Sequence, residues 1–356
     1  MKKSIAIIAF GDTGAEPEAL RQAAECFGYF VVKFGIGRPQ DFMDILAGRT
    51  EIPFDMIILS GHGCDGKIIM PQLCEDIYFP HEPRGDFGGF QISQHLALQN
   101  TCIVSLCCDT GSSNMARAFT RKGNTYIAPT DDVEGNSALA YALQLLYHAA
   151  QNGFDIQAAH AKAAAMDAEA ALFVLHEAQP PKVIHIMGAS GAGTSTLGRA
   201  LEARHGYKWM DTDGYFWAQT DPPYEQSLPR EERLRLMRAA MDQHPRCVIS
   251  GALCGWGDAL IPRFDLVVWL QAPTEVRLER LRQREREAFG ARVLPGGDMH
   301  ENHEAFLLWA AGYDTGDESM RSFAQHEKWV RGLDCPVMIL DGTKPVEELA
   351  ALIWRG

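Results

Sequence analysis

Short apolar runs alternate with amphipathic stretches along the whole chain. In the first half, residues 5–10, 29–35, 56–59, 102–106 and 125–128 are apolar runs of strand length. A run apolar at successive positions predicts a strand covered on both faces, as in a parallel sheet. Between them, helical spacing predicts helices over 16–27, 40–46, 114–121 and 137–151, and a last helix over 156–170 precedes a short apolar run at 171–175. The second half repeats the alternation, with strands expected at 183–187, 208–210, 247–250, 266–270 and 337–340, and helices at 196–205, 231–243, 273–288 and 345–354. Such alternation means βαβ units, so the fold class is α/β, with mainly parallel sheets in three-layer α/β/α domains. Sheets of this kind place ligands at the carboxyl ends of their strands.

Length changes the count of domains. Single cores stop growing at roughly 250–300 residues, and this chain has 356. Two domains are expected, 1–178 and 182–356, with the break at Gln179-Pro180-Pro181, where two prolines favour extended chain. The halves differ in composition. All seven tryptophans lie at or beyond Trp209, and residues 1–180 carry −9 of the net −13. An acidic chain argues against nonspecific binding to nucleic acid or anionic membranes, and no apolar run approaches the ~20 residues of a membrane span. Residues 5–10, behind Lys2 and Lys3, are too short for a signal peptide and read as a first strand. Nine cysteines without disulfide-scaffold spacing point to reduced thiols and a cytoplasmic protein.

Two strand ends carry the first candidate chemistry. One run ends Ser60-Gly61-His62-Gly63, and a second ends Cys107-Cys108-Asp109-Thr110-Gly111. On adjacent strands, His62 and Cys108 would face one cleft, Cys108 attacking as a thiolate and His62 protonating the leaving amine. The N–H groups of Gly63 and Cys108 would suit an oxyanion. A buried strand end beside a turn histidine is the bland alternative. These residues, with Met115-Ala116-Arg117-Ala118-Phe119, Tyr126-Ile127-Ala128-Pro129-Thr130-Asp131-Asp132 and the 171–175 run, resemble the caspase-like cysteine peptidases, the CHAT and gingipain type. The resemblance covers residues 1–178 and implies a caspase-like fold, a His/Cys dyad and a peptide substrate or protein partner. Cys107 stands where that family usually has a small residue, and Asp131 and Asp132 are the candidates for an acidic substrate pocket.

The second candidate is a phosphate loop. Gly188-Ala189-Ser190-Gly191-Ala192-Gly193-Thr194-Ser195-Thr196 follows an apolar run and opens a helical stretch. The Gly188–Gly193 spacing lets backbone N–H groups wrap a phosphate at a helix N-terminus. Ser195 stands at the Mg²⁺-binding hydroxyl, but Thr194 replaces the lysine that neutralises β- and γ-phosphate charge. Asp211-Thr212-Asp213 follows the next strand, where a carboxylate would orient an acceptor hydroxyl or hold Mg²⁺. The sequence resembles shikimate-, gluconate- and adenylate-type kinases and, over 182–356, bacterial P-loop proteins labelled AAA-family ATPases or kinase-like, in which threonine at the lysine position is usual. That resemblance implies ATP and Mg²⁺ as cofactors and arginines of the 277–286 helix, Arg280 or Arg284, on phosphate in the lysine's stead. It also implies a 341–345 loop, with Thr343, beside the adenine. For each single arginine a solvated helix face is the alternative. Tyr215, Phe216, Trp217, Trp256 and Trp309 lie beside carboxylates or glycines and suit a ring-bearing small-molecule acceptor, while Trp269, Trp329 and Trp354 read equally as core. His300-Glu301-Asn302-His303 lacks metal-motif spacing and reads as a capping or substrate-loop segment. The reading is a phosphotransferase fused to a caspase-like domain. The rivals are a cysteine peptidase with an ATP-sensing domain, or a noncatalytic recruitment module on a kinase.

Overall fold

A computed structural model describes residues 2–355. The chain divides into two compact units, residues up to Gln179 with Asp334–Pro336, and Pro180–Leu333 with Val337–Arg355.

The first unit holds β1 (Ser4–Phe10), β2 (Phe30–Ile36), β3 (Met56–Ser60), β4 (Cys102–Ser105), β5 (Thr125–Pro129) and β6 (Phe173–His176). The sheet order is β2-β1-β3-β4-β5-β6, parallel throughout except that β6 runs antiparallel to β5. Helices α1 (Glu16–Cys26), α2 (Pro39–Leu46), α3 (Gly89–His95), α4 (Ser113–Thr120), α5 (Gly135–Gln151) and α6 (Ile156–Ala164) form the outer layers. Side chains alternate across a strand with period two, and β1 supplies both cores. Ala6, Ile8 and Phe10 join Ile57 and Ile103 against Phe42, Ile92 and Phe119 of α2, α3 and α4. Ile5 and Ile7 join Met56 and Val104 against Leu20, Leu145 and Ala159 of α1, α5 and α6.

The expected 156–170 helix is shorter. It stops at Ala164, and the Asp167 carboxylate accepts from Ala170 N at 2.8 Å, starting a separate turn that feeds β6. A local side-chain acceptor competes with the helix for backbone donors.

The second unit holds β7 (Val183–Gly188), β8 (Lys208–Asp211), β9 (Cys247–Ser250), β10 (Leu266–Gln271) and β11 (Val337–Asp341) in the all-parallel order β8-β9-β7-β10-β11. Its helices are α7 (Thr194–His205), the single turn α8 (Asp213–Phe216), α9 (Arg230–Gln243), α10 (Thr274–Phe289), α11 (His300–Ala311), α12 (Phe323–Arg331) and α13 (Val346–Arg355). On one face Ile184, Ile186, Val268 and Leu270 pack on Leu197 and Leu201 of α7 and Leu349 and Ile353 of α13. On the other, His185 stacks on Phe264 and Trp269 packs on Phe323 of α12. Strands β8 and β9 lie to one side of β7, and β10 and β11 to the other. The connections therefore diverge at the carboxyl end of β7 and open a crevice there.

Residues 300–303 are not a loop. They form the first turn of α11, where His300 Nδ1 lies 3.1 Å from the Val293 carbonyl and His303 is buried. Among the described residues no helix is long and apolar enough to cross a membrane.

Phe173 locks β6 into the first unit. It is buried and stacks on Tyr141 of α5, rings 3.9 Å apart and 6° from parallel. Phe173→Ala is expected to cost about 3–5 kcal/mol, and a volume-sparing Phe173→Leu under about 1.5 kcal/mol. Denaturant midpoints of the two variants against wild type check both values.

Candidate functional site

The loop after β7 is built by close approach. Gly191 has φ +82, and a Cβ there would stand 2.5 Å from the Arg277 carbonyl oxygen. Gly193, with φ +103, enters α7 in the left-handed region. Only glycine takes these conformations without strain, so the loop carries its backbone into the mouth of a cleft of about 460 Å³. Gly191, Ala192, Gly193, Thr194, Ser195 and Thr196 line it, together with Arg280, Arg284, Gly342 and Lys344. The lining therefore joins a helix N-terminus to guanidinium groups, an anion site by both dipole and charge.

The Ser195 hydroxyl donates to Asp211 Oδ2 at 3.1 Å, and Asp211 Oδ1 accepts from Asp213 N. Strands β7 and β8 both run parallel to β9 between them, which brings this carboxylate to the loop. Burial, then the like charge of Asp211, pushes the Asp213 carboxyl above its ordinary value, and Arg321 and Arg284 pull it back. A hydroxyl and a carboxylate at the helix start are hard oxygen donors that fit Mg²⁺. Three other sequence candidates lie differently. Gly188 ends β7 below the cleft, and Ser190 is not among its lining residues. Thr343 turns its N–H and its hydroxyl onto Asp341 Oδ1, at 2.9 and 2.6 Å, leaving its neighbours to line the cleft.

The arginines of α10 divide by role. Arg280 Nη1 donates to the carbonyls of Gly342 (3.0 Å) and Gly191 (3.4 Å). Arg284 extends into the cleft and pairs with Glu285 at 2.8 Å. Arg277 is wholly buried, donating to Ala272 O, Ala310 O, Thr274 Oγ1 and Asp314 Oδ2. It ties α10 to the segment after α11 and is closed to phosphate.

Arg321, which the sequence pattern did not single out, donates through Nη2 to the carbonyl of Gly188 at 2.7 Å. It stands alone between Met320 and Ser322, outside any charged run, so only the fold reveals it. Near Asp213, Phe216 stacks under the Arg233 guanidinium at 3.7 Å and meets Trp217 and Trp256 edge-on. Trp269 is buried core, Trp329 Nε1 donates to Asp258, and Trp354 stacks on His205.

In the first unit β3 and β4 are neighbours, so the loops bearing His62 and Cys108 emerge side by side. The approach is tight: a Cβ on Gly63 would stand 2.1 Å from the Cys108 carbonyl oxygen. Cys108 is half-buried and its Sγ donates to Val133 O at 3.5 Å, while Cys107 is sealed and its thiol is pushed up to about 12 by burial. His62 is exposed, with Nε2 3.2 Å from the Asp12 carbonyl. Glu16 accepts from Ser60 Oγ at 2.5 Å. Burial pushes its carboxyl up, and Ser60 and His62 draw it back. This carboxylate escapes a sequence reading because an acidic residue in a first helical turn is ordinary. Asp131 and Asp132 lie in the loop after β5, and Asp109 N donates to Asp131 O.

Arg277→Met removes the donor to two buried carbonyls and should cost about 2–3 kcal/mol, with Arg277→Lys failing to restore it because a lysine lacks the planar fork. Asp314 is 47% exposed and can be rehydrated, which holds the loss below that of a doubly buried pair. Equilibrium unfolding of the two variants reads this.

Comparison with known proteins places the loop in context. Residues 184–305 match a family described as "AAA domain". The uncharacterized protein YqaC of Bacillus subtilis is 44% identical over 167 residues, 47% of this chain and 92% of YqaC. A cytidylate kinase of Thermococcus sibiricus is 28% identical over 149 residues, 39% of this chain and 75% of the kinase. A shikimate kinase of Thermosynechococcus vestitus is 33% identical over 116 residues, 29% of this chain and 62% of the enzyme. The solved gluconokinase of Sinorhizobium meliloti 1021 is 18% identical, covering 49% of this chain and 91% of its own, with a TM-score of 0.30. With a glycine loop, a helix N-terminus and a carboxylate pair at the carboxyl ends of its strands, the second unit carries a P-loop kinase-like domain, and the chain belongs to the family of YqaC.

Proposed function

We propose that the second unit transfers the γ-phosphoryl group of ATP to the hydroxyl of a small hydroxylated or nucleotide acceptor, with Mg²⁺. The observation that carries this reading is the Ser195–Asp211 hydrogen bond at the start of α7, with Asp213 two residues on. Bound Mg²⁺·ATP supplies the electrophilic phosphorus and spreads the charge of the leaving diphosphate. Gly191 to Thr196 wrap the phosphates with backbone N–H groups. Ser195 and Asp211 hold the metal. Asp213 orients the acceptor hydroxyl and takes its proton as the new oxygen–phosphorus bond forms and the bond to the β-phosphate bridging oxygen breaks. Arg284 reaches the phosphates from α10, and Gly342 and Lys344 border the base. The names of the cytidylate and shikimate kinase relatives support a small hydroxylated or nucleotide acceptor. Phe216, Trp217 and Trp256 beside Asp213 favour one that carries a ring.

The approach of Gly63 to Cys108 favours a second reading for the first unit, a caspase-like cysteine peptidase. In it the Cys108 thiolate attacks a peptide carbonyl, and His62 gives its proton to the departing amine. Water then hydrolyses the thioester. A partner-recruiting module that keeps this geometry without turnover is the remaining alternative.

ATP·Mg²⁺ at 100 times its Kd should stabilise the protein by about 2.7 kcal/mol, read as a rise in melting temperature. Gly193→Val should abolish the rise and Ser195→Ala should remove its Mg²⁺ dependence. No rise in wild type, or an equal rise in all three, refutes the kinase reading. In the first unit, a thiol reagent at pH 8 should label Cys108 while Cys102 and Cys107, both pushed up to about 12 by burial, stay unlabelled in the native state. Peptide cleavage that survives Cys108→Ala would rule out the dyad.

A further inference from the structure

We infer that Arg321 is the cation that the phosphate loop lacks at Thr194. The inference rests on the nucleotide-binding reading above and adds the source of the missing charge. A loop of this spacing ordinarily carries a lysine that crosses to the β- and γ-phosphates. Thr194 has the wrong chemistry, so a positive charge must come from elsewhere in the chain or the phosphates go unneutralised.

The neighbouring cations are mostly engaged. Arg277 is sealed on Asp314 and three other acceptors. Arg280 is held by the carbonyls of Gly191 and Gly342. Lys344 pairs with Glu348 at 2.8 Å, Arg284 pairs with Glu285, and Arg199 donates to Ser195 O and lies over the Trp209 ring.

Arg321 differs in three respects. Its Nη2 donates to the carbonyl of Gly188, the first residue of the loop, so the guanidinium sits against the loop itself. Its Nε is sealed from solvent and, among the described residues, has no hydrogen-bond partner. Its position is also fixed. Ser322 Oγ donates to Asp317 O at 2.5 Å and accepts from Gln325 N, pinning the chain immediately after Arg321 at the start of α12. A desolvated guanidinium with an idle donor costs free energy. The negative charge of a polyphosphate on the loop would offset this cost. Arg321 also acts electrostatically on Asp213, so the charge that sits on Gly188 is also felt at the carboxylate that meets the acceptor. Burial depresses its proton affinity, and a guanidinium starts high enough to stay charged all the same.

The test is a double-mutant cycle on the full chain, with ATP·Mg²⁺ affinity measured by calorimetry and folding followed by melting temperature. Arg321→Met should weaken binding about tenfold to a hundredfold, the worth of one charged hydrogen bond. Arg321→Lys, which keeps a charge there, should lose less. Thr194→Lys should change wild-type affinity little, yet in the Arg321→Met background it should restore binding to within about threefold of wild type. Arg321→Met binding as tightly as wild type overturns the inference. So does a double variant no better than Arg321→Met, or an Arg321→Lys loss equal to that of Arg321→Met. Wild type failing to bind ATP·Mg²⁺ at all is a different outcome, which sinks the kinase reading itself.

Discussion

A phosphate loop works only if its backbone N–H groups point at the ligand, and that orientation sends several of its carbonyls the other way. Those carbonyls need donors of their own. Here two arginines from distant parts of the chain provide them. Arg280 of α10 donates to Gly191 O and Gly342 O, and Arg321 donates to Gly188 O. The loop is clamped at its first residue and at its crest. Gly191 presses on the Arg277 carbonyl, so α10 fixes the same crest by van der Waals contact as well. Arg277 in turn is anchored by four hydrogen bonds and holds the first turn of α10 in place. The anion site therefore depends on a buried arginine that never meets an anion.

The two units solve a common problem in the same way. Residues that approach one another sit in the loops that follow strands of the same parallel sheet. In the second unit β7 and β8 flank β9, which brings Ser195 onto Asp211. In the first, β3 and β4 are adjacent, which brings Gly63 onto Cys108. Parallel strands sit about 4.8 Å apart, so the loops after β3 and β4 start one strand spacing apart and those after β7 and β8 two, and a few loop residues close the gap.

What the sequence made legible follows from this. Apolar runs marked the strands of both main sheets, most plainly β3, β4, β7, β9 and β10, which are buried on both faces and have few polar positions to blur them. Glycine spacing gave the phosphate loop, since each glycine answers a local steric demand. Helices α11 and α12 were hidden because their apolar positions are mixed with His303 and His326, which are buried without looking apolar. Arg321 and Glu16 were hidden for a stronger reason. Each matters through a residue far away in sequence, Gly188 for one and Ser60 with His62 for the other, and no local pattern records a contact made by tertiary folding. Thr194 was visible as a gap, but a gap names the missing charge without naming its source.

The form of the substitution has its own logic. A lysine at position 194 would lie on the helix that wraps the phosphates and would move with it. A guanidinium delivered from the start of α12 is set by a different element and reaches the loop from outside. A planar fork carries five N–H donors, so one can hold Gly188 O while others serve a phosphate oxygen, two tasks that a single ammonium performs only by sharing its protons. The arrangement also ties charge supply to the order of residues 317–325, whose hydrogen bonds seat Arg321. Loosening that segment would withdraw the cation without touching the glycine loop, so the site's charge and its shape are held by separate parts of the chain.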